Sequence, residues 1–247
     1  MTNLEELHLF VSPMRSNSTY VDGIQLYDQF LLHMPELREF AFNIRTIVFN
    51  DNPAIELPSN EDIQRSFVGR IHGPVASHID TTSTIGNKES HIYSLPYAFD
   101  CFVNLTNSFQ GGMFDKVRYL RMHDGYPFEF DFFRLISQSF PALKFLHFSN
   151  SCPQKGKRHL STSITFPYLT YLNLTHSHVD YAEQFLLTKN AYVPRLMHLC
   201  IRYRSLVAIT NNFTNDVTQF NFTMVKRIDS YESFVRPKRF SQYFPLV

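Results

Sequence analysis

The stretch FPYLTYLNLTHSHVDYAEQFLLTKNAYVPRLMHLCI (166–201) decides the fold. The run Leu169-x-x-Leu172-x-Leu174 ends in alternation, as a short strand with one buried face does. Asp180 followed by Glu183 reads as a capping box with an acidic N-cap. Ala182, Phe185 and Leu186 then fall at i, i+3 and i+4, one face of a helix. Pro194 stops the helical path, and the next strand opens at Leu196.

The same phrase returns on both sides of this stretch. It stands as MPELREFAF (34–42) and FPALKFLHF (140–148), and without the Pro as MTNLEELHL (1–9) and FDKVRYLRM (114–122). The lead residues Val117, Leu143, Leu169 and Leu196 are 26, 26 and 27 positions apart. Helical stripes precede several of the Pro residues: Tyr27, Phe30, Leu31 and Met34 in one unit, Phe132, Leu135, Ile136 and Phe140 in another. Phe99, Phe102 and Val103 predict a further helix. A fixed period of this size is the mark of a solenoid whose units pack on their neighbours. The expected fold is therefore α/β: a single leucine-rich-repeat solenoid over 1–247, with parallel strands on the concave face and helices on the convex face.

Two places break the rhythm. From Leu37 to Val117 is 80 residues, and neither intervening lead position carries the phrase. Segment 43–95 reads as a β-rich insertion, with strands near 65–71 and 90–95 and the polar loop TTSTIGNKES; two degenerate repeats are the alternative. Near the other end, VTQFNF (217–222) predicts a final strand after a short helix around 205–213, and 224–247 a tail or truncated repeat. The pattern opens inside one repeat at Met1 and stops on another at Phe244-Pro245, as in a piece of a longer protein or in an array whose termini are protected in another way.

Composition narrows the function classes. Lys plus Arg is 23 and Asp plus Glu 22, a formal charge of +1, so no global field points to nucleic acid or an anionic membrane. The basic runs at 155–158 and 236–239 read as solvated loops. Three distant cysteines, Cys101, Cys152 and Cys200, do not form a disulfide framework and suit a reducing compartment, the cytoplasm or the nucleus. No apolar run approaches the roughly 18 residues needed to span a bilayer. The sequons at Asn17, Asn104, Asn173, Asn212 and Asn221 read as Asn and Thr of turns and strands. The 25 Phe often stand where Leu is expected, which makes them mostly core.

Enzyme motifs are missing: there is no HExxH, G-x-S-x-G, P-loop or dinucleotide fingerprint. His176-Ser177-His178 reads as a turn pair, and Gly111-Gly112 as a lone turn. His147 and Cys200 share a column two strands apart, roughly 10 Å by strand spacing. Zinc bonds of roughly 2.0–2.3 Å do not bridge that distance. No catalytic, cofactor-binding or metal-ligating residue is expected, and no cofactor.

Binding chemistry is expected instead on the strand residues that face away from the core. Side chains alternate faces, so each strand's third, fifth and seventh positions share the concave surface. The third positions are Glu6, Glu39, Tyr119, Phe145, Tyr171, His198 and Gln219. The fifth run through Arg121, His147, Asn173, Cys200 and Asn221, and the seventh through His123 and Arg202. Tyr119, Arg121, His123, Phe145, His147, Tyr171, Asn173, His198 and Arg202 are the expected protein-binding residues, because rings and Arg dominate binding hot spots. The alternative is that the ring ladder only stabilises the sheet.

The LxxLxL strands, together with YSLPYAFDCFVNLTNSFQGGMFDKVRYL and FPALKFLHFSN, resemble the leucine-rich-repeat region of F-box-like proteins. The resemblance implies a non-enzymatic substrate-recognition arm of a ubiquitin-ligase subunit. The family's F-box, which docks on a Skp-type adaptor, is not read in this sequence, so that adaptor is implied only if an F-box lies upstream. A free-standing repeat scaffold is the alternative, and a nucleic-acid binder the more distant one; no membrane partner is expected.

Overall fold

The computed structural model describes residues 4–49, 55–71, 73–80, 88–156, 164–233 and 235–247. The chain divides into two compact units, Met1–Ala98 and Phe99–Val247.

The first unit is a mixed sheet with two short helices. Its elements are β1 (Glu6–Val11), β2 (Met14–Ser16), α1 (Gly23–Gln29), β3 (Glu39–Phe49), α2 (Asn60–Ser66), β4 (Val75–Asp80) and β5 (Lys88–Ser94). The sheet order is β1-β3-β5-β4, with β2 beside β3. β1 and β2 run parallel to β3, whereas β5 runs antiparallel to both β3 and β4. Phe42, Ile44, Val48 and Ile92 from the strands close a core with Leu26, Ile63 and Phe67 from the helical side. Ser59 and Asp62 start α2 with a reciprocal capping box, the Asp62 amide donating to Ser59 Oγ at 3.2 Å.

α1 and α2 approach so closely that only glycine fits at Gly23. Its amide donates to Ser66 Oγ at 2.8 Å, and a Cβ there would stand 2.5 Å from the Ser66 carbonyl oxygen. The obstacle is backbone, which cannot swing aside. Gly23→Ala should therefore destabilise the first unit by about 1–3 kcal/mol, the usual cost of overpacking, measured by urea denaturation. An unchanged midpoint would show that the two helices separate freely.

The second unit is a six-stranded sheet, parallel throughout. Its elements are β6 (Cys101–Leu105), β7 (Tyr119–His123), α3 (Phe130–Ser139), β8 (Phe145–Asn150), β9 (Ile164–Thr165), β10 (Tyr171–Ser177), α4 (Val179–Leu186), β11 (Ala191–Tyr192), β12 (His198–Cys200), α5 (Tyr203–Ile209), β13 (Arg227–Asp229) and α6 (Phe240–Tyr243). The order is β13-β12-β10-β8-β7-β6, while β9 and β11 form a separate two-stranded pair. One face of the sheet is sealed: Phe102, Leu120, Leu146, Phe148, Leu172 and Leu199 are all fully buried. Phe148 lies against Phe133 of α3 and Phe185 of α4, with ring centroids 5.5 and 6.5 Å away.

The expected solenoid is not what forms. β1 and β3, the two earliest occurrences of the phrase, belong to a separate sheet in which β5 reverses direction, and this breaks the one-way progression a repeat array needs. In the second unit helices follow β7, β10, β12 and β13, but among the described residues β6–β7 and β8–β10 are joined without one. The described residues form a mixed α/β protein with one mixed sheet, one six-stranded parallel sheet and the short parallel pair β9–β11.

Several local expectations change with it. The strand near 65–71 is the end of α2 and the turns after it, whereas the strand near 90–95 is β5. Of the TTSTIGNKES loop, residues 81–87 lie outside the described residues, and the rest opens β5. Phe99, Phe102 and Val103 do not make a helix: β6 runs through Phe102 and Val103, and Phe99 lies just before it. The stripe at Tyr27 is interrupted, since α1 ends at Gln29 and Phe30 is exposed. The strand expected at 217–222 is a single 3-10 turn, Val217–Gln219, and the sixth strand is β13. Asp180 is not the cap of α4: His178 is, its Nδ1 accepting from the Asp180 amide at 3.3 Å. The face of that helix is as expected, with Ala182, Phe185 and Leu186 buried.

Candidate functional site

The parallel register brings most of the expected binding residues together on the second sheet. Tyr119, Phe145, Tyr171 and His198 lie side by side on β7, β8, β10 and β12. Arg121, His147, Asn173 and Cys200 form the next row, and His123 pairs with Ser149 in the third. The row order follows from the leucines: each strand buries its second and fourth positions, so its first and third turn the other way. Phe145 and Tyr171 have ring centroids 6.0 Å apart, and the Tyr171 and His198 rings meet edge-on at 4.8 Å.

The outer end of the ladder is different from expectation. Gln219 and Asn221 are not in it. β13 takes their place, with Arg227 beside His198 and Asp229 beside Cys200. Arg202 also leaves the strand rows, because it is the N-cap of α5. There it lines a pocket of about 360 Å³ with His176, Ser177, His178 and Arg204. This pocket lies past the carboxyl ends of β8, β10 and β12, the usual place for a ligand cleft beside parallel strands. Arg204 is held by Glu232 at 3.3 Å.

The face is unevenly accessible. Arg121, His123 and Phe145 are exposed, and Tyr119, His147, Tyr171 and His198 half-buried. Asn173 is buried and structural: its Oδ1 accepts from the Thr175 amide at 3.0 Å, at the register shift between Asn173 and His176. Arg121 carries a positive charge at the centre of the face. His147 has its pKa lowered by burial, and then by the charge of Arg121 and the nearby His176.

At the β12–β13 end five polar side chains converge. His198 Nε2 lies 2.6 Å from Asp229 Oδ2 and 3.6 Å from Cys200 Sγ. Cys200 Sγ lies 3.3 Å from the Tyr171 hydroxyl, and Arg227 Nε donates to Asp229 Oδ1 at 3.0 Å. The Arg227 hydrogen bond holds the Asp229 carboxyl below the usual carboxylate range. Burial, followed by the hydrogen bond with Cys200, pushes the Tyr171 hydroxyl up to about 12. Burial also raises the Cys200 thiol.

This cluster is not a nucleophilic triad. A Cys-His-Asp relay needs the thiol on one ring nitrogen and the carboxylate on the other. Here both face the same Nε2, and the thiol is held in its protonated form rather than activated.

Sequence reasoning missed the cluster because it missed β13. The alternation alone sets Cys200 against His147, two strands away and too far to share an ion, and leaves His198 on its own strand unconsidered. A signal was present: Val225-x-x-Ile228 repeats the spacing of Leu169-x-x-Leu172 and Leu196-x-x-Leu199. No family model, curated protein or solved structure matches the chain.

Proposed function

We propose that this chain is a non-enzymatic protein-binding module that docks an acidic, aromatic-bearing segment of its partner on the open face of the second sheet. One observation carries the reading. The sheet is wholly parallel, yet Arg121, His123 and the 42 %-exposed Phe145 stand on a face that no helix among the described residues seals. Parallel sheets ordinarily have both faces covered. An uncovered one that presents a ring beside a guanidinium offers the residue types that anchor partners. Arg121 puts positive charge on this face while His147 is held toward its neutral form, so an acidic segment that pairs with Arg121 is the complementary ligand.

The narrower role, substrate recognition in an F-box-like ubiquitin ligase, rests on the quoted sequence phrases. Co-purification of a Skp-type adaptor and a cullin with the full-length product supports it, and a complex free of both overturns it. The cytoplasm or nucleus is the proposed place of action; the three cysteines are free thiols. Among the described residues no helix is long and apolar enough to cross a membrane.

The docking face is tested by peptide-display selection against the whole chain. Enriched peptides should pair acidic with aromatic residues. Arg121→Glu and Phe145→Ser should each weaken them by about tenfold or more, about 1.4 kcal/mol, without lowering the melting temperature. Peptides that bind both variants as well as the parent chain would remove the face from consideration.

A further inference from the structure

The geometry points to a zinc-binding site at the β12–β13 end of the second sheet, formed by His198 Nε2, Cys200 Sγ and Asp229 Oδ2, with a fourth position open to solvent. These three donors all lie within 4.8 Å of one another. Their separations are 3.6 Å for nitrogen to sulfur, 3.9 Å for sulfur to oxygen and 2.6 Å for nitrogen to oxygen. A tetrahedral zinc with ordinary bond lengths spaces such donors by about 3.3–3.6 Å. Two separations are therefore already close to the required ones. The third opens by roughly 0.7 Å when an ion replaces the direct His198–Asp229 hydrogen bond.

Backbone register, not chance side-chain drift, sets this convergence. His198 and Cys200 are two apart on one strand and share a face, and Asp229 is the direct parallel neighbour of Cys200. The surroundings complete the site. Arg227 occupies Asp229 Oδ1 and leaves Oδ2 for the ion, and the Tyr171 hydroxyl stands beside the sulfur, positioned to donate to a thiolate. Outer partners of this kind orient ligands and tune the metal. Cys200 is buried, whereas the side chains of His198 and Asp229 are 25 % and 43 % exposed. An ion thus enters from the open face and keeps one position toward it.

The ligand set selects the ion. A thiolate and an imidazole with one carboxylate suit zinc over magnesium or calcium, which take all-oxygen shells. On binding, the sulfur–metal bond forms as the Cys200 S–H bond breaks, and the proton passes to solvent. Two ligand charges, thiolate and carboxylate, balance the divalent ion, and Arg227 adds one positive charge outside.

Cobalt(II) titration of the full chain, in reducing buffer, tests the site. One equivalent should give the sulfur-to-cobalt charge-transfer band and the strong visible bands of a tetrahedral ion, and one equivalent of zinc should abolish both. Cys200→Ser should remove the charge-transfer band. Asp229→Asn and His198→Gln, at partly exposed positions that leave the core intact, should each weaken binding about tenfold or more. The Cys101→Ser/Cys152→Ser double variant should keep the spectrum. The weak spectrum of six-coordinate aqueous cobalt, or a band that survives Cys200→Ser or vanishes in the double variant, overturns the site. Should Cys200→Ser not fold, undiminished affinity in both other variants overturns it equally.

Discussion

Phe148→Ala should lower the unfolding free energy of the second unit by about 4 kcal/mol, the usual range for a buried Phe cut back to Ala. Phe148 is fully buried in the centre of the sheet. Its ring meets those of Phe128, Phe133 and Tyr181 at 5.4, 5.5 and 4.5 Å, from three different segments. Truncation removes both the ring's burial and the surface on which α3 and α4 rest. The surrounding rings are rigid, so they fill the gap poorly, and the residual cavity adds to the loss. Urea denaturation followed by circular dichroism measures the change, and peptide-resolved hydrogen exchange assigns it to residues 99–247. A loss under about 1 kcal/mol would mean that neighbouring rings repack into the space.

Acid should destabilise the first unit. His78 on β4 and His91 on β5 are directly paired across the sheet, with ring centroids 4.9 Å apart. Burial lowers the His78 pKa to about 4, partly countered by Asp80. Burial, then His78 and Arg45, holds His91 well below the ordinary value. Asn43 Nδ2 donates to the Tyr97 hydroxyl, so Asn43 Oδ1 is left to accept from His91 Nε2 at 2.8 Å. Arg45 is itself paired with Glu89. Both folded pKa values are depressed, so the unfolded chain takes up protons that the folded chain refuses. Stability from this pair is complete above the unfolded value of about 6.5 and falls as pH drops from there toward 4. The His78 shift from 6.5 to about 4 corresponds to roughly 3 kcal/mol, and His91 adds to it. Between about pH 7.5 and about pH 5 the His78 part of this loss is about 2 kcal/mol, which the shift in urea midpoint reads, and His78→Phe should flatten the difference. A slope unchanged in that variant would place the acid sensitivity elsewhere.

The row holding Tyr119, Phe145, Tyr171 and His198 was legible because buried leucines at a near-constant spacing fix register, and register fixes faces. Three things were not. β13 has a single apolar residue, Ile228, and its lead Val225 follows Leu196 by 29 positions instead of 26 or 27. The reversal at β5 depends on pairing between strands far apart in sequence, which periodicity within each strand does not encode. α2 carried a clear local signal in Ser59 and Asp62, overridden by the β-branched and aromatic residues that follow it. The metal-ligand cluster shared the fate of β13, since Asp229 has no meaning as a ligand until that strand is placed beside Cys200.

The two outermost strands of the parallel sheet have a consequence for how the protein behaves at high concentration. An unpaired strand edge is a template on which another chain can add. β6 meets β7 with a register shift between Phe102 and Leu105, where Asn104 adopts a left-handed backbone with φ of 57°. Such a bulge bends the strand away from a flat template. β13 is only three residues long, and two of them, Arg227 and Asp229, are charged. A guest strand would find a kink at one border and a short, charged stub at the other. The six strands are thereby kept from serving as the seed of a longer sheet.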